Sequence, residues 1–442
     1  MAARPSRRVR TLTVGFVLAG FAVAPSALAA PGDLDHTFNG SGQRITTLGP
    51  GGTFAEAHDV AMQAQKIVVA GVVGPSDFTD GDMAIVRYTR GGNLDTTFSG
   101  DGKFVLDVGG EFDDLWGLAA LSNGKLLAAG TSTANGKSFF AVIRLKPNGQ
   151  LDHSFGAGDG KTFLSFGAGD SFAYDVAVLP SGKFLVCGSF TTGSSSSKMA
   201  LARFLPGGGL DFGFGGGDGR VLTGFPHDLT TTTAGTMTVL ADGRIVLAGS
   251  TGPDLVNTDV ALVRYRPNGT LDPAFSGDGR VRKDLSPYHF GDSTTDIALA
   301  GNGKVVLGAY VQTSGNRRFG LAQFKLNGAP DTTFGAGDGV VLTGLGVNVA
   351  PRGLVRQPDG KLVGVGEIDG PPQDRMVAVR WKPGGATDTG FGGGDGVADP
   401  FFPPGESLAY GAAIQPNGRI VIAGYAAANA TTHGFGVERF LG

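Results

Sequence analysis

One short phrase recurs along this chain at near-constant intervals, and the recurrence restricts the fold more than any other feature of the sequence. Asp-x-x-Phe stands at Asp35/Phe38, Asp95/Phe98, Asp152/Phe155, Asp211/Phe214, Asp272/Phe275, Asp331/Phe334 and Asp388/Phe391. Successive aspartates are 60, 57, 59, 61, 59 and 57 residues apart. A fixed period of this size marks supersecondary units that bury their apolar faces only by packing on one another. The 412 residues that follow residue 30 divide into seven units of 58.9 residues, which leaves no length for a separate catalytic domain.

Within each unit a turn and a strand follow the motif by about thirty residues, as in NGKLLAAG (123–130), SGKFLVCG (181–188), DGRIVLAG (242–249) and NGRIVIAG (417–424). The first copy, QKIVVAG at 65–71, lacks the turn glycine. A second recurring strand reads MAIVRY (83–88), FAVIRL (140–145), VALVRY (260–265) and so on to FGVERF (435–440). Asn-Gly and Asp-Gly between apolar runs predict hairpins with type I′ turns. The 77 glycines, about 17% of the chain against a usual ~7%, fit a turn-rich, all-β protein. Four short strands per unit are predicted; in the second unit they fall at 103–108, 115–122, 125–131 and 139–145. A solenoid coil is generally shorter than this, whereas a propeller blade takes about 40 to 60 residues and rings hold about 4 to 8 blades. The predicted fold is therefore a seven-bladed β-propeller of four-stranded antiparallel blades over residues 31–442. The strand QRITTL near the start should complete the last blade as its outer strand and close the ring without an open sheet edge.

Residues 1–30 differ from everything that follows. A basic head (MAARPSRRVR), an apolar stretch and PSALAA read as a secretory signal peptide, with cleavage expected after Ala29 and a secreted or cell-surface destination. Past residue 30 there remain 32 basic and 39 acidic residues, a net charge of −7, which argues against nucleic acid as a partner. No later stretch is apolar for long enough to form a transmembrane segment. Cys187, the one cysteine, sits inside FLVCG and is expected to be a small buried hydrophobe.

The segments LDTTFSGDGK, DGRIVLAG and VALVRYRPNG resemble the delta-60 repeat family of bacterial surface and secreted proteins, over residues 31–442. The resemblance implies a β-propeller and carries no known activity. Departures are Ser41 for the loop Asp, Gln323 for the strand Arg, and Pro330 and Thr387 for the Leu before Asp.

Recurring residues belong to the scaffold. The motif Asp is expected to accept backbone N–H bonds in an Asx turn while Phe fills the space between blades. Paired carboxylates such as Asp95 with Asp101 could offer a calcium ion two ligands, but neither EF-hand nor nonapeptide spacing occurs, so no metal or cofactor is expected. The strand arginines, present in six of seven units, are read as contacts to carbonyls or to a neighbouring Asp; Asp331 persists beside Gln323, so Arg is not an obligatory partner.

Successive turns of a blade alternate between the two faces of the disc. If the strand before the Asn-Gly turn is innermost, the turns and Asp-x-x-Phe loops share a constant face, and the opposite face carries loops that differ in every blade. Binding is expected on this variable face and at the mouth of the central channel, with Tyr288, His289, Arg317 and Arg318 as ligand contacts private to one blade. The predicted function is a secreted, monomeric, non-catalytic scaffold that recognises a protein or glycan. One alternative is an extracellular metal-assisted lyase or hydrolase acting on polysaccharide, built from His58, His433 and nearby acids; another is a structural cell-surface module. His227 also falls near the variable face, whereas His36 and His153 occupy x positions of the motif. There is no G-x-S-x-G and no C-x-x-C.

Overall fold

The structure, a computed structural model, describes residues 29–49, 53–75, 80–109, 111–192, 196–226, 231–254, 257–370 and 373–442. The proposed signal segment up to residue 28 and His227 lie outside these. Seven four-stranded antiparallel sheets form a seven-bladed β-propeller. The innermost strands of blades 1 to 7 are Thr53–Gln63, Phe112–Ala120, Asp170–Val178, Thr231–Val239, Asp292–Leu299, Val349–Arg356 and Ser407–Ile414. Each packs beside the next around the axis, the last against the first.

A blade takes three strands from one unit and its outermost strand from the start of the next. Blade 2 consists of Phe112–Ala120, Leu126–Ala134, Lys137–Leu145 and Lys161–Leu164. The predicted 103–108 strand, observed as Lys103–Leu106, is thus the outer strand of blade 1. The middle strands run further toward the variable face than the sequence suggests, because a second tight turn joins them there. Asn135 (φ 54°) and Gly136 (φ 67°) both take positive φ, as a type I′ turn requires.

The Asn-Gly turns on the constant face differ from the type I′ geometry predicted for them. At Leu121–Lys125 the Gly124 amide donates to Leu121 O at 2.9 Å, the Leu121 amide donates to Lys125 O at 2.9 Å, and only Gly124 has positive φ (79°). This is a three-residue loop with Gly in the left-handed position, and Asn123 Oδ1 accepts the Lys125 amide at 3.1 Å. In blade 1, where the glycine is missing, Ala64 itself takes φ 55°.

The ring closes as expected. Gln43–Thr46 pairs with His433–Phe440 from Gln43↔Glu438 to Thr46↔Phe435, as the outer strand of blade 7. A further tie recurs in all seven units: the amide after the motif Phe donates to a carbonyl of the following unit, as in Ser99 to Asn148 O (2.8 Å) and Gly215 to Asn268 O (3.0 Å). The seventh tie runs from the Gly392 amide to Pro31 O at 3.1 Å.

The recurring motif joins neighbouring blades in two ways. Phe98 is fully buried in a core shared by Val68 and Ala70 of blade 1 and by Leu126, Ala128 and Ala141 of blade 2. Burying such a ring contributes about 1.5–3 kcal/mol. Asp95 Oδ1 accepts the Thr97 amide and hydroxyl (3.2 and 2.7 Å), while Oδ2 accepts Arg87 Nε and Lys66 Nζ (2.8 and 2.6 Å). The Arg87 guanidinium lies 4.6 Å above the Phe98 ring centre, and its Nη1 donates to Pro147 O of the next unit. Where Gln323 replaces the arginine, Lys304 Nζ supplies the ion pair to Asp331, whose Oδ1 still accepts the Thr333 amide and hydroxyl. Burial pushes these carboxyls up, yet the hydrogen bonds and cations around them outweigh it and hold all seven below the ordinary carboxylate range. Cys187 is buried as well, and loss of solvation pushes its thiol up.

Candidate binding site at the mouth of the central channel

Each innermost strand carries a β-bulge at one and the same level. The ladder skips a residue between Ala57 and Asp59, Leu115 and Gly117, Ala173 and Asp175, Ala234 and Thr236, Thr294 and Asp296, Pro351 and Gly353, and Ala409 and Gly411. The skipped residues are His58, Trp116, Tyr174, Gly235, Thr295, Arg352 and Tyr410. All seven line one cavity of about 710 Å³ that opens on the variable face. A bulge re-aims a side chain out of the pleat, and here it re-aims one toward the axis in six blades, while Gly235 leaves that place open in blade 4.

The neighbouring strand makes room for the bulge in six blades, and in blade 5 the bulge forms opposite Ala309. A glycine faces the residue before the bulge in six blades: Gly71, Gly130, Gly188, Gly249, Gly366 and Gly424. A Cβ on Gly130 would stand 1.9 Å from Asp114 O, and at the other five the distance is between 1.7 and 2.1 Å. The bulged backbone occupies the space of the missing side chain.

Below the mouth, Asp59, Asp175 and Asp296 occupy the position after the bulge in blades 1, 3 and 5. Their Oδ2 atoms accept the amides of Leu118 (2.8 Å), Met237 (2.8 Å) and Leu354 (2.7 Å), each in the next blade. Thr236 Oγ1 donates to Asp296 Oδ1 at 3.1 Å and approaches Asp175 Oδ2 at 3.3 Å. Burial pushes all three carboxyls up; the charges of Asp175 and Asp296 add to the rise at Asp59, that of Asp175 adds to the rise at Asp296, and Asp296 reaches about 7. At the seam, buried Glu438 accepts Gln43 Nε2 at 2.7 Å and is pushed up to about 8, again by burial.

These shifts set a pH dependence. An acid with a raised folded pKa favours the folded state fully below its unfolded value, and that contribution is lost as pH rises through the folded pKa. Stability is expected to fall from pH 4 to pH 8 by about 2 kcal/mol, a figure discounted because the three aspartates are part-exposed in the cavity wall. Below pH 4 the motif aspartates, with lowered pKa, reverse the slope. Denaturant midpoints measured across this range test it, and a profile that rises from pH 4 to pH 8 contradicts it.

The mouth itself is aromatic on one side. His58 and Trp116 stack with ring centres 3.7 Å apart and planes at 8°, and Tyr410 stands edge-on to both at 5.5 and 6.4 Å. Tyr174 meets Trp116 edge-on at 5.9 Å. Trp116 Nε1 donates to Asp114 Oδ2 at 2.5 Å. His58 Nδ1 donates to Leu115 O at 2.9 Å, so Nε2 faces Glu56 Oε2 at 3.9 Å. Burial raises the Glu56 carboxyl, but His58, the Tyr410 hydroxyl and Arg352 together hold it below its ordinary value. Arg352 lies 5.1 Å over the Tyr410 ring, with Nη2 3.7 Å from Glu367 Oε1.

Of the four contacts expected from sequence, Arg317 lines this cavity, 5.6 Å over Tyr310 and 3.7 Å from Asp369. Arg318 faces the other way along the same strand and lies beside Gly344. Tyr288 and His289 sit in the loop after blade 4, outside the cavity lining; Tyr288 stacks on Phe290 and His289 Nδ1 contacts Asp284. His433 packs against Phe54 and Tyr425, its Nε2 3.2 Å from Glu406. Among the described residues, neither His58 nor His433 belongs to a group of three converging metal-ligand side chains. Sequence reasoning missed Trp116, Tyr174, Arg352 and Tyr410. The signal that could have found them is the glycine recurring inside the second strand of six blades, a mark of close backbone approach.

Fold and mouth together define a β-propeller built of tandem repeats around an aromatic-lined channel. Residues 66–98, 121–155, 179–214, 240–275 and 300–334 match the family described as "Domain of unknown function (DUF5122) beta-propeller", so the chain is a β-propeller repeat protein. No curated protein matches its sequence. Among solved structures, a polysaccharide lyase described as a PL25 ulvan lyase is 12% identical, over 90% of this chain and 96% of its own, with a TM-score of 0.50. A protein of unknown function from Dyadobacter fermentans is 13% identical over 90% and 99% of the two chains (TM-score 0.46). An aldose sugar dehydrogenase from Streptomyces coelicolor is 14% identical over 74% and 94% (TM-score 0.41). At these identities the likeness is one of fold.

Proposed function

We propose that this protein is a secreted member of the delta-60 repeat family that recognises a glycan at the channel mouth without transforming it. The observation that carries this reading is the ring of bulges. Seven structurally equivalent positions hold His58, Trp116, Tyr174, Gly235, Thr295, Arg352 and Tyr410, although the scaffold around them repeats closely. A scaffold has no need of such variety at one level. Aromatic faces take the C–H faces of sugar rings, and the carboxylates and Arg352 hydrogen-bond hydroxyls, the usual division of labour in a binding cleft. Arg317 belongs to this site; Tyr288 and His289 would touch only a ligand long enough to reach the rim.

Trp116 offers the assay. The other tryptophan, Trp381, is fully buried, so its replacement by Phe leaves Trp116 as the fluorescent reporter. Titration with soluble polysaccharides is expected to quench it, and Trp116→Ala or Arg352→Ala should weaken binding, measured by calorimetry, about tenfold or more with an unchanged melting temperature. Equal loss of binding and stability would sink the reading.

A lyase or hydrolase reading draws on the Tyr410 hydroxyl, Glu56 and His58, which are close enough to relay a proton. Chain shortening or an unsaturated uronide, abolished by Tyr410→Phe, would replace recognition by catalysis.

A further inference from the structure

We propose a calcium site between blades 4 and 5, formed by Asp259, Asp284 and Asp292. None of the three lines the channel cavity, and the site does not depend on what binds there. One oxygen from each carboxylate falls within 4.8 Å of the other two. Asp292 is fully buried: its Oδ2 accepts the Leu285 and Ser286 amides at 2.6 and 2.9 Å, and its Oδ1 has no hydrogen-bond partner. A buried carboxylate oxygen without a donor is costly unless a cation completes it.

The other blades show that the fold does not ask for these carboxylates. The three positions are the sixth residue before the end of a blade's third strand, the residue after its outermost strand, and the third residue before the next blade's bulged residue. Between blades 2 and 3 they hold Phe139, Ser165 and Ser171, and Ser171 Oγ accepts the loop amide of Phe166 at 3.2 Å. One hydroxyl oxygen thus does the backbone work of Asp292 Oδ2, and Oδ1 is surplus to it. Between blades 6 and 7 the first position is Arg375, whose Nη2 binds Asp399 at 2.7 Å. A guanidinium stands there beside the carboxylate. With Lys198 and Arg318 the neighbouring position is a glycine, Gly224 and Gly344. Three aspartates coincide again only between blades 1 and 2, at Asp82, Asp107 and Asp113, where Asp113 Oδ1 is likewise buried and unpartnered.

Oxygen-only, carboxylate-rich ligation selects a hard divalent cation, and a site of loosely spaced carboxylates suits calcium better than magnesium. Arg282 and His289 touch Asp259 and Asp284 from the solvent side; their side chains are 45% and 86% exposed, so both can turn away.

The test is calorimetric titration of the chelator-treated protein with calcium chloride, with magnesium and zinc as controls. Saturable calcium binding is expected, together with a calcium-dependent rise in melting temperature. Asp259→Asn should lose one equivalent, or bind it at least about tenfold more weakly, whereas Asp399→Asn should match the parent. Asp259 carries the test if Asp292→Asn does not fold. No saturable heat with calcium, the same equivalents in Asp259→Asn, or binding of zinc alone would each overturn the proposal.

Discussion

A chain that begins after Thr47 is expected to lose cooperative folding. The segment 29–47 supplies the outer strand of blade 7, the fully buried Phe38, the Asp35 carboxylate that pairs with Arg439 (2.8 Å) and the Pro31 carbonyl that completes the seventh inter-unit tie. Thr46 Oγ1 also accepts the buried Tyr88 hydroxyl at 2.8 Å. Without the segment, His433–Phe440 becomes an open edge and the Arg439 guanidinium, 2% exposed, keeps no carboxylate beside it. The combined loss exceeds about 5 kcal/mol, comparable to the whole stability of a domain. Circular dichroism on heating and size exclusion test this, and addition of a peptide covering 29–47 should restore the transition. A truncated chain that melts sharply near the parent temperature would show that the seam is dispensable.

The second large effect is expected at Arg264. Its side chain is 1% exposed, its Nε binds Asp272 Oδ2 at 2.8 Å, its guanidinium lies 4.7 Å over Phe275, and it donates to Leu326 O of the next unit. Arg264→Ala leaves Asp272 only the longer contacts of Arg244 (3.6 Å) and Arg266 (3.9 Å) and should cost about 3 kcal/mol, the lower end of the range for breaking a buried pair. Arg264→Gln should cost roughly a third of that, because a glutamine still donates a hydrogen bond. Blade 5 already lives with that arrangement: Gln323 is in place and Lys304 holds Asp331. In blade 4 the basic residue at the equivalent position, Arg244, remains 3.6 Å from Asp272. Urea midpoints for the two variants decide it, and equal losses would show that packing of the long side chain, not its charge, is what blade 4 requires.

The blade count, the four-strand blade, the closing strand and the wedge of Phe between blades were legible because each is a property of the period. Turn type was not. Asn123-Gly124 and Asn135-Gly136 are the same dipeptide, yet only the second is a two-residue turn, since the strand register on either side decides how many residues the loop holds. Register also separates Arg317, in the cavity wall, from Arg318, which lies beside Gly344. At the mouth, Trp116 and Arg352 are each private to one blade, as Tyr288 is among the loops. Loops are where a repeat sequence makes such residues conspicuous. At the bulges they stand within strands, hidden by the regular pattern around them.

A bulged residue leaves its strand's ladder, so exchanging its side chain disturbs none of the backbone hydrogen bonds that hold the ring. On the proposed reading, the seven bulges separate two problems that most binding clefts must solve together, staying folded and choosing a partner. Mutation can revise the mouth one blade at a time on an unchanged frame, and a change of specificity in such a protein requires neither a longer loop nor a new element, only substitution at positions already aimed inward.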